Sequence, residues 1–206
     1  MHADESAQPN RQTLTDVLRG RFKGYLDPVC AFLNRLGIQP NTITLTGLAG
    51  NLVAAFFLSQ GQFLVGGLIA LVMGAMDALD GGMARQRGEP TDYGAFIDSV
   101  TDRYSELLLY GGLLLYYSHT GDQVMVLLIY LAAVGSVMVS YTRARAEGLG
   151  YEAKWGILTR AERFAVFIPS LIFSVPVIGL ALVAVFGNIT ALQRIYVVRK
   201  QTHDRG

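Results

Sequence analysis

Residues 77–102 read DALDGGMARQRGEPTDYGAFIDSVTD, and this stretch decides the fold. Its acids recur at helical spacing. Asp77 and Asp80 are three apart, Asp98 and Asp102 four apart, so on helices each pair shares one face. Apolar runs lie on both outer sides, Phe63–Met76 before and Leu107–Tyr117 after. A carboxylate beside such runs is costly in a bilayer and marks a functional site. Four acids that converge there need cations between them. Oxygen ligands of this kind suit one or two hard divalent ions, Mg²⁺ or Mn²⁺.

Working outward, the chain reads as an integral membrane protein of the all-α class. Its 206 residues are 51% hydrophobic and 16% charged, with a mean hydropathy of +0.36, a composition outside the range of soluble domains. A net charge of +1 gives no basis for a nucleic-acid partner. Cys30 is the single cysteine, which excludes an intrachain disulfide framework. Residues 1–13 are polar, have no apolar core of the signal-peptide kind and read as a loose tail. Apolar runs predict six spans, at Thr42–Leu58, Phe63–Ala84, Gly94–Tyr117, Val124–Tyr141, Phe164–Ser174 and Pro176–Ala191, against the roughly 20 residues that a crossing needs. The fifth is short and holds Pro169, so it is expected to begin earlier and kink. The connections are short, giving one membrane domain over 14–200 (an interfacial helix at 14–36, spans over about 42–198) and a second tail at 201–206.

Lys and Arg are distributed with complete asymmetry. They occur before Thr42, after span two (Arg85, Arg87), after span four (Arg143, Arg145, Lys154, Arg160, Arg163) and in the C-terminal segment from Arg194. The loops Ser59–Gln62 and Ser118–Gln123 and the turn at Val175 hold none. The positive-inside rule then makes both termini and the acid-bearing ends of spans two and three cytoplasmic, facing in from the cell membrane. Between Asp16 and Leu36, apolar residues at three- and four-residue steps (Leu18, Phe22, Tyr25, Val29, Phe32, Leu36) alternate with Arg19, Arg21, Lys23 and Arg35. That pattern predicts an amphipathic helix lying in the interface, open to interruption at Pro28.

The spacing Asp-x2-Asp-Gly-x2-Ala-Arg-x8-Gly-x3-Asp-x3-Asp resembles the signature of the CDP-alcohol phosphotransferases at every fixed position. The resemblance implies transfer of a phosphatidyl or archaetidyl group from CDP-diacylglycerol or CDP-archaeol to an alcohol, with release of CMP. It implies that Asp77, Asp80, Asp98 and Asp102 hold the Mg²⁺ or Mn²⁺, expected as two ions, and that Asp102 also acts as general base. Gly81 and Ala84 leave room for the nucleotide beside the backbone, and Arg85 is a cation suited to bidentate phosphate contact. Asn41 is expected to cap span one and, with Thr44, to help hold the nucleotide. Thr91 is a further phosphate contact.

The acceptor is read from a second set of residues. Arg143, Arg160, Arg163 and Arg194 stand at the depth of the aspartates and come from three helices, a natural clamp for a phosphate. They resemble basic positions in phosphatidylinositol-phosphate synthases and their archaeal ether-lipid counterparts, which implies inositol 1-phosphate as acceptor, with glycerol 3-phosphate the nearest alternative. Two other classes use membrane acids: intramembrane prenyltransferases, whose motifs lack the Gly-x-x-Ala-Arg continuation, and Mg²⁺ transporters, which want acids at several depths along a pore. The family commonly forms homodimers, and Gly111, Gly112 and Gly135 permit close helix contact.

Overall fold

The computed structural model describes residues 14–88, 91–153 and 156–205. The tail 1–13 lies outside them. So do the side chains of Leu18, Arg19, Arg21, Phe22, Lys23 and Tyr25, on which much of the amphipathic reading rests. Among the described residues the protein is all helix, with seven: α1 (Leu14–Arg35), α2 (Pro40–Ser59), α3 (Phe63–Arg87), α4 (Asp92–Thr120), α5 (Gln123–Glu147), α6 (Arg160–Ile172) and α7 (Pro176–Arg205).

Local sequence sets the helix ends. Pro40 stands at the first turn of α2 after an extended Gln39, where its missing N–H costs nothing. Asn41 was expected to cap this helix, but the cap position is Gln39, which makes no side-chain cap bond; Asn41 already lies inside. Gly88, at φ 69°, closes α3 in the left-handed region that glycine enters without strain. Thr91 caps α4 by accepting a hydrogen bond from the Gly94 N–H at 3.0 Å, and Asp122 caps α5 through the Met125 N–H at 3.0 Å. Pro28 does not split α1, which runs through it as one helix. α6 begins at Arg160, earlier than its apolar run, and contains Pro169. The segment 201–206, read as a tail, prolongs α7 to Arg205, and Gln201 ties it to Glu152 with two hydrogen bonds to that residue's backbone.

Four helices, α2, α3, α5 and α7, are long and apolar enough to cross a membrane. α4 has the length, 29 residues, but carries Asp98, Asp102, Arg103 and Glu106 in its first half. α6 has only 13 residues, short for a crossing of roughly 20. The polarity of the molecule is that of a membrane protein. Leu52, Phe56, Leu68, Val72, Leu115, Leu127, Leu131 and Val185 are exposed, while Asp80, Asp102, Arg163 and Arg194 are buried. Water would penalise that arrangement and lipid favours it.

Leu58, Leu113, Ile129, Ile168, Leu171, Leu180 and Val183 form the main core, drawing on α2, α4, α5, α6 and α7. α2 packs closely on α3 and α4, and α5 on α7. A smaller cluster of Cys30, Ile43 and Met83 joins α1 to α2 and α3. Polar ties reinforce it: Arg87 Nε donates to Asn34 Oδ1 and its Nη2 to the Ile38 carbonyl, each at 2.7 Å, and Gln86 Nε2 donates to the Asp27 carbonyl at 2.9 Å. Arg87 therefore fastens the end of the motif helix to α1, a role beyond that of a simple topological charge.

Candidate metal and nucleotide site

α3 and α4 deliver the acids to one place. Asp77, Asp98 and Asp102 each offer a carboxylate oxygen within 4.8 Å of the others. Asp77 comes from the middle of α3, and the other two come from successive turns near the start of α4. Asp80 lies beside this trio and lines a cavity with Asp98. Its Oδ2 accepts from Thr44 Oγ1 at 2.6 Å and its Oδ1 from the Gly81 N–H at 2.5 Å. These bonds draw α2 into the site, because Thr44 is buried one turn into that helix.

Beside Asp80 and Asp98 opens a cavity of about 480 Å³. Asn41, Thr44, Gly81, Ala84, Arg85 and Thr91 all line it. These are the six residues that the sequence assigned to the CDP-linked lipid, so three separated segments meet around one space. Its size falls within the range of small-ligand sites, roughly 300–1,000 Å³. A Cβ on Gly81 would stand 3.3 Å from Arg85 Nη1, so the bare backbone there leaves the guanidinium room beside the cavity that both residues line. Asn41, although not a cap, faces the same space. Thr91 lines it too, with its hydroxyl oxygen already accepting from Gly94.

The four arginines separate. Arg160, 45% exposed, extends from the start of α6 into the acid cluster: its Nη2 donates to Asp77 Oδ2 at 2.8 Å and lies 2.5 Å from Asp102 Oδ1. The latter is an ion pair without hydrogen-bond alignment, so Asp102 Oδ1 is a buried oxygen with no donor. Arg163, one turn on and only 2% exposed, grips Glu106 with both Nε and Nη2, at 2.8 and 2.9 Å. Arg194 is buried and donates to the Val139 carbonyl. Arg143 stays at the surface, paired with Glu147 at 2.9 Å.

The residues present fit a divalent cation. Three carboxylates meet closely, and the chain's cations that pair with them among the described residues, Arg160 on Asp77 and Asp102 and Arg103 on Asp102 at 3.3 Å, are two against three acids. Sequence reasoning missed Glu106, Tyr110 and Ser136. The signal was available, because Glu106 continues the four-residue row from Asp98 and Asp102 into an apolar helix, where an acid needs a reason.

The chain is similar to known proteins in sequence and in fold. A sequence model of the CDP-alcohol phosphatidyltransferase family matches residues 38–195. An archaetidylinositol phosphate synthase of Pyrococcus horikoshii is 38% identical over 188 residues, covering 89% of this chain and 96% of its own. A phosphatidylinositol phosphate synthase of Streptomyces avermitilis is 35% identical over 208 residues, covering 93% and 84%. The crystal structure of Mycobacterium tuberculosis phosphatidylinositol phosphate synthase with CDP-DAG bound superposes with a TM-score of 0.80 at 30% identity, covering 84% of this chain and 92% of that one. The same enzyme in complex with manganese and citrate also gives 0.80, at 30% identity and 84% and 88% coverage.

Proposed function

The chain belongs to the CDP-alcohol phosphatidyltransferase family, and from that premise we propose that it moves the phosphatidyl or archaetidyl group of a CDP-linked lipid onto inositol 1-phosphate, releasing CMP. Membership sets aside the prenyltransferase and transporter readings. The observation that carries the proposal is the meeting of the acid trio, a nucleotide-sized cavity lined by all six assigned residues, and Arg160 reaching into the trio. The synthases named above act on phosphorylated inositol acceptors by name, which favours inositol 1-phosphate over glycerol 3-phosphate.

In this reading α2 to α7 make six crossings, with both termini and the site on the cytoplasmic side of the cell membrane. Gly81, Ala84 and Arg85, with Asn41, Thr44 and Thr91, seat the cytidine diphosphate. Asp77, Asp80, Asp98 and Asp102 hold the divalent ions, Mg²⁺ or Mn²⁺ and two in number, which when bound neutralise the diphosphate and stabilise charge at phosphorus. Thr44 holds the Asp80 carboxylate in place. Asp102 takes the proton of the acceptor hydroxyl as that oxygen bonds to the lipid-bearing phosphorus and the bond to the CMP phosphate breaks. Positioning supplies much of the rate, since a carboxylate is a weak base near neutral pH. Arg143, Arg160 and Arg194 attract the acceptor's phosphate, while Arg163 is committed to Glu106.

The test is product identity. Incubation of the purified protein with CDP-diacylglycerol, inositol 1-phosphate and Mg²⁺ should yield a lipid whose mass includes an inositol phosphate headgroup. A product formed only with glycerol 3-phosphate would overturn the acceptor while leaving the transfer chemistry intact.

A further inference from the structure

Beneath the acid trio lies a second, smaller cavity of about 50 Å³, lined by Asp77, Asp102, Glu106, Arg160 and Arg163 among others. Its wall is a ladder between α4 and α6. On the upper rung Arg160 meets Asp102 and Asp77. On the lower rung, one turn deeper on each helix, Arg163 meets Glu106. On the lower rung the Glu106 carboxylate is the shared acceptor. Glu106 Oε1 also accepts from Ser136 Oγ at 2.9 Å and from Tyr110 Oη at 3.2 Å, so α5 joins the network. Bidentate pairs of this type fix orientation as well as distance. α6 packs chiefly on α3 and α7, and this polar ladder and the Tyr110–Phe167 ring contact at 5.0 Å add to the apolar core that it shares with α4.

We propose that Glu106 is a positioning residue for the acceptor: by locking Arg163 it fixes the register of α6 against α4 and so holds Arg160 over the acid cluster. Arg163 then acts through this pair and not by touching the acceptor phosphate. Two of its three guanidinium nitrogens are committed to Glu106, and the third, Nη1, is buried with no hydrogen-bond partner. The inference rests on the reading of the site as a transferase that takes a phosphorylated alcohol.

The two roles for Arg163 give opposite signs in one variant. If Arg163 is a phosphate ligand held back by Glu106, then Glu106→Gln frees it and the acceptor KM falls. If Glu106 positions Arg160, Glu106→Gln loosens the register and the acceptor KM rises, by about 10-fold. Arg163→Gln should match it, and the double variant should be no worse than either alone, because both break one link. CDP-diacylglycerol binding, measured without acceptor, should stay within about twofold in all three. Amide hydrogen exchange should accelerate at the first turns of α6 in Glu106→Gln, a readout independent of turnover. A lowered or unchanged acceptor KM in Glu106→Gln overturns the proposal, as does unchanged exchange at α6. If the wild-type protein turns over no alcohol, the functional reading fails instead, and the exchange measurement still decides the ladder.

Discussion

Asp77 and Asp102 belong to the same trio yet differ in what their loss removes. Asp102 pairs with Arg160 through a buried oxygen that has no aligned hydrogen bond, and in the proposed mechanism it takes the acceptor's proton. Asp102→Asn should lower kcat by at least about 100-fold while retaining more CDP-lipid binding than Asp77→Asn; steady-state rates and equilibrium binding on the two variants check this, and full activity in either would falsify the assignment. Gly81 makes a different test. A side chain there meets only the flexible end of Arg85, so Gly81→Leu should fold normally and raise the CDP-lipid KM, by about 10-fold if one charge-assisted phosphate bond is lost. A KM unchanged in that variant would remove Arg85 from the nucleotide site. Cys30 is a third case. It is buried with its Sγ 3.5 Å from the Leu79 carbonyl, and burial pushes its thiol pKa up, so the native protein should resist maleimide until unfolded. At this scale the sequence was informative wherever spacing encodes a face, as for the four aspartates. It was silent on partners separated by many residues, such as Thr44 on Asp80 or Ser136 on Glu106, because such pairs exist only once the helices are packed.

Between elements, glycine decides how closely the helices approach. A Cβ on Gly112 would come 2.3 Å from the Ala55 carbonyl and 2.9 Å from its Cα. Neither backbone atom yields without moving α2 away from α4. Gly112→Ala should therefore cost about 1–3 kcal/mol, seen as a lower unfolding temperature in mild detergent, whereas Gly111→Ala, with no atom within 4 Å, should be silent. The same contacts revise what the small residues were expected to do. Gly112 packs inside the protomer on α2 and Gly135 on α7 near Asn188, leaving Gly111 facing open space for any partner helix. Helix existence and order were legible from the apolar runs, whereas their ends were not. Gln39 took the cap position because Pro40 fits the first turn, and α6 reached back to Arg160 because the polar Thr159-x-x-Glu162 stretch, where the Thr159 hydroxyl bonds Glu162, starts a helix before hydrophobicity does.

For the molecule as a whole, the sequence supports six crossings by charge, whereas among the described residues four helices are long and apolar enough to span. The difference lies in α4, whose first half carries Asp98, Asp102, Arg103 and Glu106, and in α6, which has only 13 residues. Single cysteines placed at Ser59 and Ser118 should label only from the outer side in intact cells, given a buried Cys30 background; cytoplasmic labelling at either would break the topology. The central claim is transfer of a lipid phosphoryl group to a phosphorylated alcohol, and the most direct measurement is CMP release from CDP-diacylglycerol with Mg²⁺ and, in separate reactions, inositol 1-phosphate, glycerol 3-phosphate, inositol and serine. The account predicts fastest release with inositol 1-phosphate, none without acceptor and none in excess chelator. Preference for inositol or serine would contradict the arginine-based choice of acceptor, and no CMP with any alcohol would contradict the account itself.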